Sequence, residues 1–175
     1  MRIVQATPEH LDLLTPLFVK YREFYDAMPY PETSRSFLEK RLTRKESVIY
    51  LAMADHEDKL MGFCQLYPSF SSLSLKRVWI LNDIFVAEDA RRQLVADRLI
   101  QQAKKLAKET NAVRLRVSTS IHNEVAQKVY ESIGFREDSK FKNYSLELDD
   151  LLAASRVVVQ GLAPAPPAGS PPGCR

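Results

Sequence analysis

Asn123, Ala126 and Tyr130 stand at i, i+3 and i+7, and Gly134-Phe135 close the same stretch. On a helix that spacing puts all three side chains on one face. A tyrosine hydroxyl presented from such a face can give a proton to a departing anion. A second cluster, Arg91-Arg92-Gln93-Leu94-Val95-Ala96, opens the most regular amphipathic stretch of the chain. A loop that opens a helix presents N–H groups without intrahelical partners, and the helix dipole adds partial positive charge, so a phosphate can sit there. Arg91 and Arg92 add charge-assisted bonds. A third feature is the pair Asn82-Asp83 inside the β-rich run 78–86. Adjacent strand residues face opposite ways, so only one of the two is expected to line a given cleft. Each feature also has a plainer reading: Tyr130 as a core aromatic, Asn123 as a helix cap, the arginines as surface charge, and Asp83 as a structural hydrogen-bond partner.

The elements that must position these residues can be read from the pattern. Residues 2–6 read as a short strand, and Thr7-Pro8-Glu9 opens a helix with a capping hydroxyl, an early proline and an early acid. Leu11, Leu14, Phe18 and Tyr21 or Tyr25 follow at helical spacing until Met28-Pro29-Tyr30-Pro31 breaks it. Residues 34–42 read as a second helix, 48–54 and 60–67 as a hairpin of strands, and 69–74 as a serine-rich loop. The apolar run 78–86 is expected in the middle of a sheet. Val95, Leu99, Ile100, Ala103, Leu106 and Ala107 mark one face of a helix. Residues 112–117 alternate as a strand, 123–133 form a helix stopped by Gly134, and 135–137 and 144–148 read as closing strands. The order β-α-α-β-β-β-α-β-α-β-β describes an α/β (α+β) domain with a mixed, mostly antiparallel sheet.

Composition sets the limits. The chain has 175 residues, 45% apolar and 27% charged, which suits one folded domain and excludes wholesale disorder. We place that domain at residues 1–150. Residues 151–175 contain Arg156 and Arg175 and no acid, and five prolines and three glycines fall between Gly161 and Arg175. That segment is expected to be a mostly disordered tail, with a weak proline-rich motif as its one candidate for binding. The net charge of +3 is small and no basic face is concentrated, so nucleic acid is not an expected partner. No apolar run reaches bilayer length, and Met1-Arg2-Ile3-Val4-Gln5 opens no secretory signal, so no membrane is expected and the location reads as cytoplasmic. The three histidines are scattered, and Cys64 and Cys174 have no metal-site or disulfide spacing, so no metal is expected. Cys64 reads as a small core residue, with no histidine placed by sequence to activate it.

Across residues 1–148 this element order and the two clusters resemble the GNAT superfamily of acyl-CoA-dependent N-acyltransferases. In that family a strand ending in apolar-x-Val is followed by [Arg/Gln]-x-x-Gly-x-[Gly/Ala], and here Arg91 to Ala96 occupy the loop. The first glycine of the pattern is replaced by Leu94. A side chain there either obstructs the phosphates or costs about 1–2 kcal/mol if φ is positive, equivalent to about a tenfold loss of CoA affinity.

The resemblance implies acetyl-CoA as co-substrate. Its pantetheine arm would pair with Ile84, Phe85 and Val86, its pyrophosphate would sit on Arg91, Arg92, Gln93, Leu94, Val95 and Ala96, and Asn123 and Ala126 would contact the arm. The resemblance also places Tyr130 near the thioester sulfur as general acid. Asp83 is the candidate general base, and Tyr25, Tyr30, Tyr67 and Asn82 are candidate acceptor-binding residues in a pocket that also draws on Tyr21, Phe24, Met28 and Trp79. In polyamine-acetylating relatives a glutamate often stands where Asn82 does, so its absence here weakens a polyamine assignment. The expected reaction is direct attack of a small-molecule primary amine on acetyl-CoA in a ternary complex, with a strand amide near 84–86 supporting the oxyanion. An amino acid, a polyamine or an aminoglycoside-like compound would serve as acceptor. Two alternatives remain: a degenerate CoA-binding or interaction module, which Leu94 favours, and a protein or peptide N-acetyltransferase. Relatives of this kind often form homodimers.

Overall fold

In the computed structural model, residues 1–56 and 59–146 are described, and Met1–Arg136 make up one compact unit. Its centre is a five-stranded sheet in the order β1-β2-β3-β4-β5, formed by Arg2–Gln5, Val48–Met53, Leu60–Ser71, Lys76–Val86 and Arg114–Val117. The first four strands are antiparallel neighbours and β4–β5 is a parallel pair, as the expected mixed sheet requires. Four helices flank it: α1 (Leu11–Phe24), α2 (Pro31–Thr43), α3 (Val95–Glu109) and α4 (Glu124–Ile133).

Alternation along the strands divides the core into two layers. Leu14, Phe18 and Leu38 from α1 and α2 pack on Ile49, Leu51, Phe63 and Phe85. Val95, Leu99, Ile100 and Ala103 from α3 pack on Tyr50, Cys64, Leu66 and Leu81 of the other face, and Tyr130 joins them from α4. The buried α3 stripe is the one its sequence period announces. Gly62 lets α3 approach the sheet closely, because a Cβ there would lie 2.8 Å from the Phe85 carbonyl oxygen and 2.9 Å from Val95 Cγ1. Gly134 ends α4 with φ of 101°, a conformation that favours glycine. Cys64 is fully buried, and burial pushes its thiol up to about 12.

Three expectations need correction. Strand β3 runs through Ser69 and Phe70 to Ser71, where the serine content suggested a loop. Its partner β4 starts at Lys76, so pairing with Arg77 and Val78 holds that segment extended. Pro68 is tolerated inside it because pairing with β2 ends at Leu66, leaving one edge free where no N–H is required. Residues 135–137 form no strand, and neither do 144–146, while 147 and 148 lie outside the described residues. Phe135 packs on the core, but no strand pairs with its run among the described residues; Tyr144 and Leu146 are exposed, and a strand pattern without a packed face lacks its main stabilisation. The expected tail, 151–175, also lies outside the described residues.

Among the described residues, no helix is long and apolar enough to cross a membrane.

Candidate active site

The parallel pair β4–β5 is short. Val78 to Leu81 pair with Arg114 to Val117, and β4 then continues to Val86 with no strand beside it on that edge among the described residues. A cavity of about 370 Å³ occupies the gap. It takes Asn82, Ile84, Phe85 and Val86 from β4, Val117 and the following Ser118 and Thr119 from β5, Tyr21, Phe24 and Tyr25 from α1, and Arg91, Ala96 and Ile100 at the start of α3. The α4 side contributes Asn123, Ala126, Val129 and Tyr130. Volume and mixed lining are those of a small-molecule site. The cleft passes through the sheet, so one wall belongs to α1 and the other to α3 and α4.

On the α3–α4 wall the one-face prediction holds: Asn123, Ala126 and Tyr130 line the same cavity. The plainer reading of Asn123 is also correct. Its Oδ1 accepts the Ala126 N–H at 3.1 Å and caps α4, which leaves the Nδ2 end for the cavity. Tyr130 is 8% exposed and its ring meets Phe135 edge-on at 5.6 Å. Burial, with nearby Tyr25 adding to it, pushes the Tyr130 hydroxyl up to about 12, so it carries its proton at neutral pH.

At the start of α3, Leu94 is the N-cap residue, makes no capping bond with its side chain, and takes φ 60°, ψ 20°. Arg92 is also left-handed, at φ 63°. The loop therefore keeps the backbone a glycine would adopt, and the leucine side chain, 72% exposed, turns to solvent. The first-turn N–H groups of α3 have no intrahelical acceptor. Arg91 lines the cavity and lies 3.8 Å from Glu88, while Gln93 Nε2 donates to the Asp89 carbonyl at 3.0 Å. Asp89 in turn pairs with Lys59 at 2.7 Å. Of the six loop residues singled out from sequence, Arg91 and Ala96 line the cavity; Val95 is buried core, and Arg92, Gln93 and Leu94 lie outside the lining.

On the α1 wall the placements are more mixed. Tyr25 and Asn82 line the cavity, together with Tyr21 and Phe24. Tyr30 lies instead in a separate small cavity between α1 and α2, with Phe18, Thr33 and Phe37. Its position between Pro29 and Pro31 makes it the left-handed N-cap of α2, which directs it away from the cleft. Tyr67 is outside the lining too, since its hydroxyl accepts Gln65 Nε2 at 2.8 Å. Trp79 packs on the α3 face, where its Nε1 donates to Thr110 Oγ1 at 2.8 Å. Asp83 is 6% exposed and does not line the cavity. Its Oδ1 accepts the Tyr21 hydroxyl at 2.6 Å and Asn82 Nδ2 at 3.0 Å. Burial lifts its carboxyl above the usual carboxylate range, against both donated bonds. Burial and the adjoining Asp83 hold the Tyr21 hydroxyl far above the usual phenol range.

The Asn82–Asp83 contact follows from a bulge. Gln65 faces Asp83 and Leu66 faces Leu81, so Asn82 is the extra residue on β4. Strict alternation fails there, and the two side chains meet although only Asn82 reaches the cavity. Sequence reasoning missed Ser118 and Thr119; their signal was two hydroxyls directly after a strand that ends at Val117. Among the described residues no group of His, Cys, Asp or Glu is placed to hold a metal.

Residues 12–135 match the family model described as the acetyltransferase (GNAT) family. A protein of Bacillus subtilis (strain 168), named uncharacterized N-acetyltransferase YhfO, is 40% identical over 148 residues, covering 85% of this chain and 98% of that protein. A crystal structure of a probable acetyltransferase is 79% identical, with TM-score 0.83 over 86% of this chain and 99% of its own. An aminoglycoside N-acetyltransferase solved in complex with CoA shares the fold at 23% identity, with TM-score 0.69 over 84% of this chain and 95% of its own. A sheet that parts between β4 and β5, with a helix N-terminus at one end of the gap, is thus accounted for: the chain belongs to the acetyltransferase (GNAT) family and is an acyl-CoA N-acetyltransferase.

Proposed function

We propose that the chain moves the acetyl group of acetyl-CoA to a primary amine of a small molecule, by direct attack with both substrates bound. The observation that carries this reading is the convergence of Asn123, Ala126 and Tyr130 with Arg91 on one cleft. Bound acetyl-CoA supplies the activated acyl group and a thiolate leaving group. The chain supplies the rest. The unpaired N–H groups at the start of α3 and the Arg91 guanidinium hold the pyrophosphate. The free edge of β4 at 84–86 gives backbone partners to the pantetheine arm and a donor for the oxyanion. Ala126, being small, lets α4 approach the arm, and Asn123 Nδ2 donates to it. Tyr130, holding its proton at neutral pH, gives it to the departing sulfur.

The lining also speaks to the acceptor. Among the described residues it contains no Asp or Glu, and its one charge is Arg91. A polycation brings several ammonium groups, each of which loses hydration and needs a partner. The α1 wall offers instead Phe24 and Tyr25, 54% and 50% exposed, whose rings meet edge-on at 5.1 Å. Such faces suit a single alkylammonium on an apolar or aromatic body. CoA-thiol release from acetyl-CoA, followed with phenethylamine, L-lysine, spermidine and kanamycin, tests the reading. Phenethylamine is expected to react fastest. A chain that releases thiol with none of the four contradicts the small-amine assignment, and a preference for kanamycin contradicts the single-charge acceptor.

A further inference from the structure

A buried carboxylate one hydrogen bond behind the cavity wall is an unusual thing to build. Asp83 is almost wholly inaccessible, yet both groups that donate to its Oδ1, Tyr21 and Asn82, line the cleft. The Tyr21 ring is fixed from several sides, edge-on to Phe63 at 5.8 Å, to Phe85 at 6.1 Å and to Tyr25 at 5.2 Å. Its hydroxyl therefore stands at one place, with its hydrogen committed to Asp83 and no other hydrogen bond to its lone pairs among the described residues. The bulge at Asn82 secures the other donor at the same oxygen. A carboxylate kept only for structure would be costly to desolvate at that depth.

We propose that Tyr21 takes the proton of the acceptor ammonium and passes its own proton to Asp83, so that the amine reaches the thioester as the free base. The step balances. One N–H bond of the ammonium breaks and its proton joins Tyr21 Oη, while the Tyr21 O–H bond breaks and that proton joins Asp83 Oδ1 across 2.6 Å. The amine keeps the electron pair, Tyr21 ends neutral as it began, and Asp83 ends protonated. The proton returns to solvent by the same path after product leaves. Tyr21 touches the acceptor and is the catalytic group; Asp83 acts through it. Tyr21 does not work as a phenolate, since burial and Asp83 oppose that form. Burial makes Asp83 a better proton acceptor than a solvated carboxylate.

This inference rests on the amine-acetylation reading, and the test separates the two. The full-length chain, Tyr21→Phe and Asp83→Asn are assayed from pH 6 to pH 10 with acetyl-CoA and the fastest amine of the four named above. Both variants are expected to lose about 100-fold in kcat at pH 7, with the KM for acetyl-CoA within about twofold of wild type. The deficit shrinks as pH rises toward the pKa of the amine, because solvent then delivers the free base. Other titratable groups that act on the pair are Tyr25 on α1 and Tyr67 and Cys64 on β3; Arg41 acts on Tyr67, and Tyr130 and Arg91 line the same cavity. Tyr67, Cys64 and Tyr130 are all pushed up to about 12 by burial, above the assayed range. A Tyr21→Phe deficit equal at pH 6 and pH 10 overturns the relay, as does a rise in KM with kcat kept. Asp83→Asn preserves shape and still accepts the Tyr21 bond, so a wild-type profile in that variant overturns it independently of how Tyr21→Phe folds. A wild-type chain inactive on all four amines fails the earlier reading, before any variant is made.

Discussion

The two walls of the cleft are assembled by different means. The α3–α4 wall uses a helix N-terminus and one helical face, with Tyr130 buried and Asn123 locked as a cap. The α1 wall sets half-exposed aromatics, Phe24 and Tyr25, against a bulged strand. On the proposed reading, the first wall meets its ligand through the free N–H groups at the start of α3 and the β4 edge, helped by the side chains of Arg91, Asn123 and Tyr130. The second depends on side chains brought together from positions 21–25 and 82–85. Under the proposed function the first wall would hold the constant cofactor, and the side chains of the second would select the amine.

Substitutions can break or sharpen that contrast. The largest effect is expected from Tyr130→Phe, which should lower kcat by about 100-fold or more while leaving CoA affinity within about twofold, by single-turnover kinetics and titration. Equal losses in both would make Tyr130 a packing residue. Arg91→Ala is next: CoA binding should weaken by about tenfold with kcat at saturation retained, and the loss should shrink at high salt because the arginine is half-exposed. Salt-independent weakening would mean that Arg91 acts through packing instead.

Asp83 gives a pH signature on the opposite wall. Burial raises its carboxyl pKa in the folded protein, so the folded state binds that proton more tightly than the unfolded chain does. Its contribution to stability is therefore greatest below the ordinary carboxylate range and is lost as pH rises through the interval up to the raised value. Asp83→Asn should accordingly have the higher Tm at pH 7, with the gap closing in acid; a lower Tm at pH 7 would show that the two donated bonds outweigh burial. The smallest effect is expected at the α3 start. Leu94→Gly relieves a left-handed leucine and should stabilise the fold by about 1 kcal/mol in chemical denaturation, with CoA binding tighter by a few-fold. No change in either would mean that the loop carries no strain.

Legibility followed the same division. The α4 face was readable because Asn123, Ala126 and Tyr130 are set by one local period, and α3 because its apolar stripe is continuous. Leu94 was recognisable as a departure, but only its φ and exposure reveal that the loop keeps a glycine-like path. The α1 wall was half legible. Tyr25 and Asn82 line the cavity, whereas Tyr30 and Tyr67 are aromatics of the same kind placed outside it, Tyr30 within a proline bracket and Tyr67 bonded to Gln65. The Tyr21–Asp83 bond joins residues 62 positions apart, and the bulge that brings Asn82 to it breaks the two-residue period on which strand reading depends. The closing strands at 135–137 and 144–146 were inferred from residue type alone, and type does not supply a pairing partner.

The central claim is that the gap between β4 and β5 holds acetyl-CoA despite the leucine at position 94. Calorimetric titration of CoA into the full-length chain tests it most directly. The account predicts one site per chain with micromolar affinity. No heat of binding at millimolar CoA would contradict it and leave the cleft without its cofactor.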